Sequence, residues 1–235
     1  MTPIEATSLP DTLCHSAFTV QGSRRHQNGD RYLVNGRLAM VADGISSSSR
    51  GADAAGACIE RMSHVWKSAD SIDPAGVRAI LQDINGHLLS RAMMLPSNER
   101  RRGGCCVAGV VVDRETGTAT VFHSGDASVH IVGNRGFSKL TVDHSGDDGS
   151  DRRRSRVRSA LGVIPAPEIS ISEITLTSDD HLILATDGCQ LDPVAETLGS
   201  CSATSPDDIM QVIRAANDAP TDDATAVILS TKLPA

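Results

Sequence analysis

Aromatic residues are scarce in this chain: 3 Phe, 1 Tyr and 1 Trp among 235 residues. The core must therefore rest on Val, Ile, Leu and Ala, and the stacked rings that hold single-stranded nucleic acid are missing. Positive charge is not in excess either. A net charge of −7 argues against a general binder of phosphate backbones, so no nucleic-acid partner is expected. No apolar run approaches the length of a membrane span. Met1-Thr2-Pro3-Ile4-Glu5-Ala6-Thr7 lacks a basic stretch followed by an apolar one, so it does not read as a secretion signal, and a cytoplasmic location without membrane contact is expected. The six cysteines (Cys14, Cys58, Cys105, Cys106, Cys189 and Cys201) form no Cys-x-x-Cys pair. They read as reduced thiols, most of them in the core, and the ligand spacing of a zinc site is absent.

What the chain does have is a set of four short acidic pieces, each at the edge of an apolar run: Val41-Ala42-Asp43-Gly44, Ser124-Gly125-Asp126, Ala185-Thr186-Asp187-Gly188 and Thr221-Asp222-Asp223-Ala224-Thr225. A carboxylate at the end of a buried strand is costly unless a partner compensates for it. Hard divalent cations such as Mg²⁺ and Mn²⁺ prefer carboxylates, carbonyls and water. Two such ions, about 3.5–4 Å apart, clamp a phosphoryl group and generate a hydroxide nucleophile. Asp43, Asp187 and Asp222 have the required setting beside β-runs, and Gly44 lets its backbone carbonyl approach an ion. Taken singly, an Asp-Gly pair reads equally as a plain turn. Asp126 reads as a hairpin tip and Asp222-Asp223 as a solvated strand flank.

Periodicity supplies the framework. Residues 15–21 and 38–42 read as strands, 51–67 as an Ala-rich helix, and 74–94 as a second helix with Val77, Ile80, Leu81, Ile84, Leu88 and Leu89 on one face. From Cys105 onward the runs 105–112, 118–123 and 128–132, punctuated by Gly117 and Gly125-Asp126, read as an antiparallel meander. Residues 143–158 read as an exposed polar loop. Strands are expected at 169–176, 181–185 and 224–230, and helices at 189–198 and 206–216, with Pro206 in a first turn. This order is α+β and not alternating βαβ: sheets packed together with helices outside. The whole chain, 1–235, is expected to form one domain, with 1–12 a loose arm.

These residues resemble, in order, the motifs of the PP2C (PPM) family of metal-dependent protein serine/threonine phosphatases in compact bacterial form. Arg25, Asn28 and Asp30 are similar to the family's opening motif, and Val41-Ala42-Asp43-Gly44 to its first metal strand. Gly104-Cys105-Cys106 stands at its small-Thr-Thr strand start. Ser124-Gly125-Asp126, Leu140-Thr141-Val142-Asp143-His144 and Ala160-Leu161-Gly162 follow in register, then Asp187-Gly188 and Asp222-Asp223-Ala224-Thr225. The resemblance spans about Phe18 to Leu229. It implies two packed, mostly antiparallel β-sheets flanked by α-helices, an αββα sandwich. It implies that Asp43 bridges two Mn²⁺ or Mg²⁺ ions, with the Gly44 carbonyl, Asp187 and Asp222 completing their sites and Asp30 behind them. It further implies that Arg25 holds the substrate phosphate while metal-bound hydroxide attacks phosphorus directly. The expected partner is a phosphorylated protein, a bacterial Ser/Thr kinase or one of its targets, met by a monomeric phosphatase.

Three departures stand out. The family's acidic residue between Asn28 and Asp30 is Gly29. Its Gly-Gly-His stretch is replaced by Ile45-Ser46-Ser47-Ser48-Ser49-Arg50-Gly51. Its Asp four residues after the Asp-Gly metal residue is Leu191, with Asp192 one further on, so a third ion at Asp126 lacks its expected partner. The short 143–158 loop carries Arg152, Arg153, Arg154, Arg156 and Arg158, a basic flap suited to acidic phosphoproteins or simply a solvated charge run. Gly29 keeps a second reading open, a catalytically weak or inactive module that binds a phosphoprotein or regulator. A hydrolase of small phosphoesters on the same scaffold is a third.

Overall fold

The computed structural model describes residues 13–45, 50–67, 72–94, 103–113, 115–133, 136–146, 156–198 and 205–230. The expected N-terminal arm, the four serines 46–49 and Arg152–Arg154 lie outside the described residues. In chain order the elements are β1 (His15–Val20), β2 (Arg31–Asn35), β3 (Leu38–Gly44), α1 (Gly51–Lys67), α2 (Pro74–Met93), β4 (Cys105–Asp113), β5 (Thr118–Ser124), β6 (Ser128–Gly133) and β7 (Gly136–Lys139). There follow β8 (Ser145–Gly146), β9 (Arg156–Val157), β10 (Ser170–Thr175), β11 (His181–Ala185), α3 (Asp192–Leu198), α4 (Pro206–Ala216) and β12 (Ala224–Ser230). They form two five-stranded sheets, β1-β12-β11-β6-β7 and β10-β5-β4-β3-β2, in which every pairing is antiparallel.

The central strands β3, β4, β11 and β12 bury both faces, and the period of two sorts their side chains. On β3, Leu38, Met40 and Ala42 join Ala54, Cys58 and Met62 of α1 and Val77, Leu81, Ile84 and Leu88 of α2. Ala39 and Val41 point the other way and pack with Ala108 and Val110 of β4, Leu182 and Leu184 of β11, and Val227 and Leu229 of β12. Ile183, Ala185, Ala226 and Ile228 cover the opposite layer, against Val194 of α3 and Ile209, Met210 and Ile213 of α4. The result is the αββα sandwich. Each fully buried Leu, Ile or Val in these three clusters contributes about 1.5–3 kcal/mol. α2 begins where the Asp73 carboxylate accepts the Gly76 N–H at 2.7 Å, and α4 where the Ser205 hydroxyl accepts the Asp208 N–H at 3.2 Å; each has proline in its first turn.

Several details differ from the sequence reading. β2 and β7 were not expected; both are sheet edges, where burial is partial and alternation is weak. The helix expected from residue 189 starts at Asp192 because residues 187–189 turn first. The loop expected over 143–158 is a ribbon at its base, with Ser145 opposite Val157 and Gly146 opposite Arg156, and His144 is buried. Among the described residues, no helix is long and apolar enough to cross a membrane.

Candidate active site

Asp43 continues the inter-sheet stripe Ala39–Val41 by one more step of two, so its carboxylate emerges where the apolar core ends. Across the ladder it faces Cys106. Gly44 has no room for a side chain: an added Cβ would lie 2.3 Å from the Gly51 carbonyl carbon, where α1 begins. Close approach of the helix thus accounts for this glycine without any appeal to an ion.

Asp126 arrives from the turn between β5 and β6, and Asp187 from the end of β11. One oxygen from each of Asp43, Asp126 and Asp187 lies within 4.8 Å of the others. Asp30 stands behind them, 2 % exposed. Its Oδ2 accepts the Thr186 hydroxyl at 2.8 Å, while Oδ1 has no hydrogen-bond partner among the described residues. Burial is the main reason that the Asp30 carboxyl is pushed up to about 6, with Asp223 and Asp187 adding repulsion and the Thr186 bond opposing it. Asp43 is pushed well above the usual carboxylate range by burial, then by Asp30, Asp187 and Asp126. Asp126 is raised by burial and by Asp187. Crowded carboxylates with all-oxygen donors, and one buried oxygen without a partner, fit a hard divalent cation.

Asp222 lies in a different setting. Both its oxygens accept from Arg25, Oδ1 from Nε and Oδ2 from Nη2, in a two-pronged ion pair. Asp222, Asp43 and Asp223 together surround the guanidinium with negative charge and hold its pKa up, the Asp222 hydrogen bond most strongly. Of the site residues expected from sequence, the structure therefore brings together Asp43, Gly44, Asp126 and Asp187, with Asp30 against them. Arg25 and Asp222 form a pair of their own.

The loop carrying Arg25 is stitched to the chain before β12. Ser23 N–H donates to the Pro220 carbonyl at 2.9 Å and Arg24 N–H to the Thr221 carbonyl at 3.1 Å. Asp223 accepts Gly22 N–H at 2.9 Å and Gly29 N–H at 2.8 Å. Asn28 accepts Asp30 N–H and donates to Thr19, both at 2.8 Å. Gly29, the departure noted in sequence, faces the Gly44 carbonyl, with 3.4 Å between that oxygen and an added Cβ.

Three contributors escaped the sequence reading. Thr186 links Asp30 to β12, accepting the Thr225 N–H at 3.0 Å. Its place before Asp187 was the available signal. Asp223 serves the backbone and not an ion, which no spacing rule distinguishes. Cys106, by sequence a reduced core thiol at a family strand start, stands beside the cluster; burial and the neighbouring Asp126 and Asp43 push it well up, so it stays protonated.

A sequence profile of protein phosphatase 2C matches residues 24–230. The chain belongs to the protein phosphatase 2C family. It is by that membership a protein serine/threonine phosphatase, of a family that depends on Mn²⁺ or Mg²⁺. No curated protein sequence matches it. Among solved structures, this phosphatase 2C chain is similar to a bacterial serine phosphatase at a TM-score of 0.82 and 18% identity, over 95% of this chain and 99% of that one. It is also similar to the PPM Ser-Thr phosphatase MsPP from Mycobacterium smegmatis in complex with cacodylate, at 0.76 and 23% over 93% and 98% of the two chains. The catalytic domain of the serine threonine protein phosphatase PstP, in complex with two manganese ions, matches at 0.75 and 20% over the same shares, 93% and 98%. At these identities the likeness establishes the shared fold.

Proposed function

We propose that this phosphatase hydrolyses phosphoserine and phosphothreonine in proteins at the carboxylate cluster, opposing a Ser/Thr kinase. The observation that carries the reading is the convergence of Asp43, Asp126 and Asp187 within 4.8 Å, next to the partnerless Oδ1 of Asp30. These residues, with the Gly44 carbonyl, would hold Mn²⁺ or Mg²⁺, two ions in the family reading; Asp222, a metal residue in that reading, is engaged by Arg25 instead. Such ions supply Lewis acidity and an activated water at neutral pH.

The chain's own residues supply the rest. Arg25 offers a planar donor set to the phosphate, and Asp222 fixes the plane of that guanidinium before substrate arrives. Asp223 holds the backbone of Gly22 and Gly29, so Arg25 is presented from a rigid loop. Thr186 keeps one oxygen of Asp30 occupied and leaves the other without a hydrogen-bond partner among the described residues. No histidine follows Gly44 closely, so the proton for the serine or threonine leaving group comes from water or from another residue. Exposed Arg158 and the other arginines of its loop favour acidic phosphoproteins.

The test is hydrolysis of a phosphothreonine peptide with Mn²⁺, with chelator, and by Asp43→Ala. Turnover that needs Mn²⁺ and disappears in the variant is expected. Absence of turnover at every Mn²⁺ concentration would instead favour the binding-module reading, and turnover indifferent to chelator would remove the metal from the mechanism.

A further inference from the structure

We infer that His144 is a positioning residue that fixes the Asp126 carboxylate and ties it to the arginine-bearing ribbon. The inference rests on Asp126 being part of the metal-holding cluster.

Residue 144 grips Gly125 on both sides of its backbone. The Gly125 N–H donates to His144 Nδ1 at 3.3 Å, and the His144 N–H donates to the Gly125 carbonyl at 2.9 Å. Gly125 has φ of 105°, a conformation open to glycine but strained for other residues, and an added Cβ there would stand 2.4 Å from Cys106 Sγ. The turn is thus pressed on Cys106 from one side and held by His144 from the other. Asp126 is the next residue, so its direction depends on that grip.

The imidazole is itself fixed. Because Nδ1 accepts from Gly125, Nε2 carries the proton, and it donates to Ser170 Oγ at 3.0 Å with Glu168 Oε1 at 3.6 Å. The ring lies against His123, with 4.4 Å between ring centroids, and His123 Nε2 bonds the Val142 carbonyl at 2.8 Å. The His144 carbonyl accepts the Arg158 N–H at 2.9 Å, and Ser145, the next residue, begins the β8–β9 pairing. One buried residue therefore joins the turn of Asp126, the base of the ribbon and β10. Groups that orient a metal ligand in this way typically contribute about 10–100-fold to metal affinity or activity.

The experiment is Mn²⁺ titration calorimetry on the full chain, with kcat and KM for a phosphothreonine peptide, for His144→Leu, His144→Asn and Asp126→Asn. His144→Leu is expected to weaken Mn²⁺ binding about tenfold and lower kcat, with peptide KM changed less than about twofold. His144→Asn, whose Oδ1 stands near the place of Nδ1, is expected to restore most of both. A purely structural role would lower Tm in both variants and leave the isotherm of folded protein unchanged; that result overturns the inference, as does an Asn variant no better than Leu. If His144→Leu does not fold, Ser170→Ala, which frees Nε2 while keeping the ring, takes its place, and an unchanged isotherm there counts equally against the inference. Asp126→Asn separates the two levels: if it leaves Mn²⁺ binding intact, the reading of the cluster fails. If it weakens binding while His144→Leu does not, only the role of His144 fails.

Discussion

Two groups of carboxylates meet at one end of the sandwich, and their surroundings are opposite. Asp43, Asp126 and Asp187 face one another, and Asp30 behind them keeps one oxygen without a partner among the described residues. Asp222 and Asp223, one strand end away, are saturated: Asp222 by the guanidinium of Arg25, Asp223 by two backbone N–H groups. Burial raises the carboxyl pKa values of Asp43, Asp126 and Asp30, and repulsion from neighbouring carboxylates adds to it. Such an arrangement destabilises the chain by itself and is rewarded only when a cation arrives. The second group needs nothing further and stabilises the loop that presents Arg25. Proximity to the site thus does not decide which carboxylate works on a ligand; compensation does.

Asp43→Asn is the harshest test of that division. Turnover of a phosphothreonine peptide at saturating Mn²⁺ should fall by about a thousandfold or more, corresponding to several kcal/mol of charge stabilisation. The metal-free variant should nevertheless unfold in urea no more easily than the parent, because a mutually repelling carboxylate has been removed. A large loss of metal-free stability would show that Asp43 belongs with the structural carboxylates.

Asp223→Ala should behave in the opposite way. It strands the N–H groups of Gly22 and Gly29, both buried, at a cost of about 2–4 kcal/mol in urea unfolding of the metal-free protein. Mn²⁺ affinity at the cluster should change far less than in Asp43→Asn. Equal losses of affinity in the two variants would erase the distinction between the groups.

Much of this was legible in the sequence, for a physical reason. Strands buried on both faces read as unbroken apolar runs, so β3, β4, β11 and β12 and the acidic residues at their ends stand out. Helices α2 and α4 announce themselves with Asp73-Pro74 and Ser205-Pro206. The order of motifs then fixed the αββα arrangement. Pairing across the site was not legible. Nothing in the spacing of Asp126 says that it meets Asp43 and Asp187, whereas Asp222 turns to Arg25; that depends on where four loops cross at the ends of two sheets. The edge strands β2 and β7 are hidden because partial burial blurs alternation; His144 is visible as part of a family motif, but its grip on Gly125 is not, because a polar residue in an Asp-Gly-rich stretch reads as loop.

His130 extends the comparison to a buried polar group remote in role from the cluster. It packs against Phe137, bonds Ser128 Oγ at 2.9 Å through Nε2, and has no described partner at Nδ1. Burial lowers its pKa from the ordinary 6.5 to about 4. Above pH 6.5 the ring is neutral in both folded and unfolded chains. Between about 6.5 and 4 the unfolded chain binds the extra proton, so stability falls as pH falls, by up to about 3 kcal/mol. The raised carboxyls of Asp30, Asp43 and Asp126 take up protons in the folded chain and work in the opposite direction, so the share of His130 is read as the difference between parent and variant. In urea unfolding, metal-free His130→Leu should lose less stability, or gain more, than the parent as pH falls from 6.5 to 4, and parallel pH profiles would remove His130 from the acid response.

Arg25→Ala is expected to have the smallest effect, and it asks whether the saturated pair is purely structural. Arg25 is anchored by Asp222 yet offered from the rim of the cluster, with Asp43 among the charges that hold its own pKa up. If the guanidinium serves the substrate, its loss should raise peptide KM about tenfold, the worth of one charge-assisted bond to phosphate, with kcat reduced less. Lysine should recover little, because a point charge cannot meet Asp222 and a phosphate oxygen in one plane. Removing Arg25 also leaves Asp222 unpaired, and Mn²⁺ binding should then tighten if the freed carboxylate joins the ligand set. An unaltered KM with lowered stability would return Arg25 to the scaffold, and the compensated carboxylates would then have no share in catalysis at all.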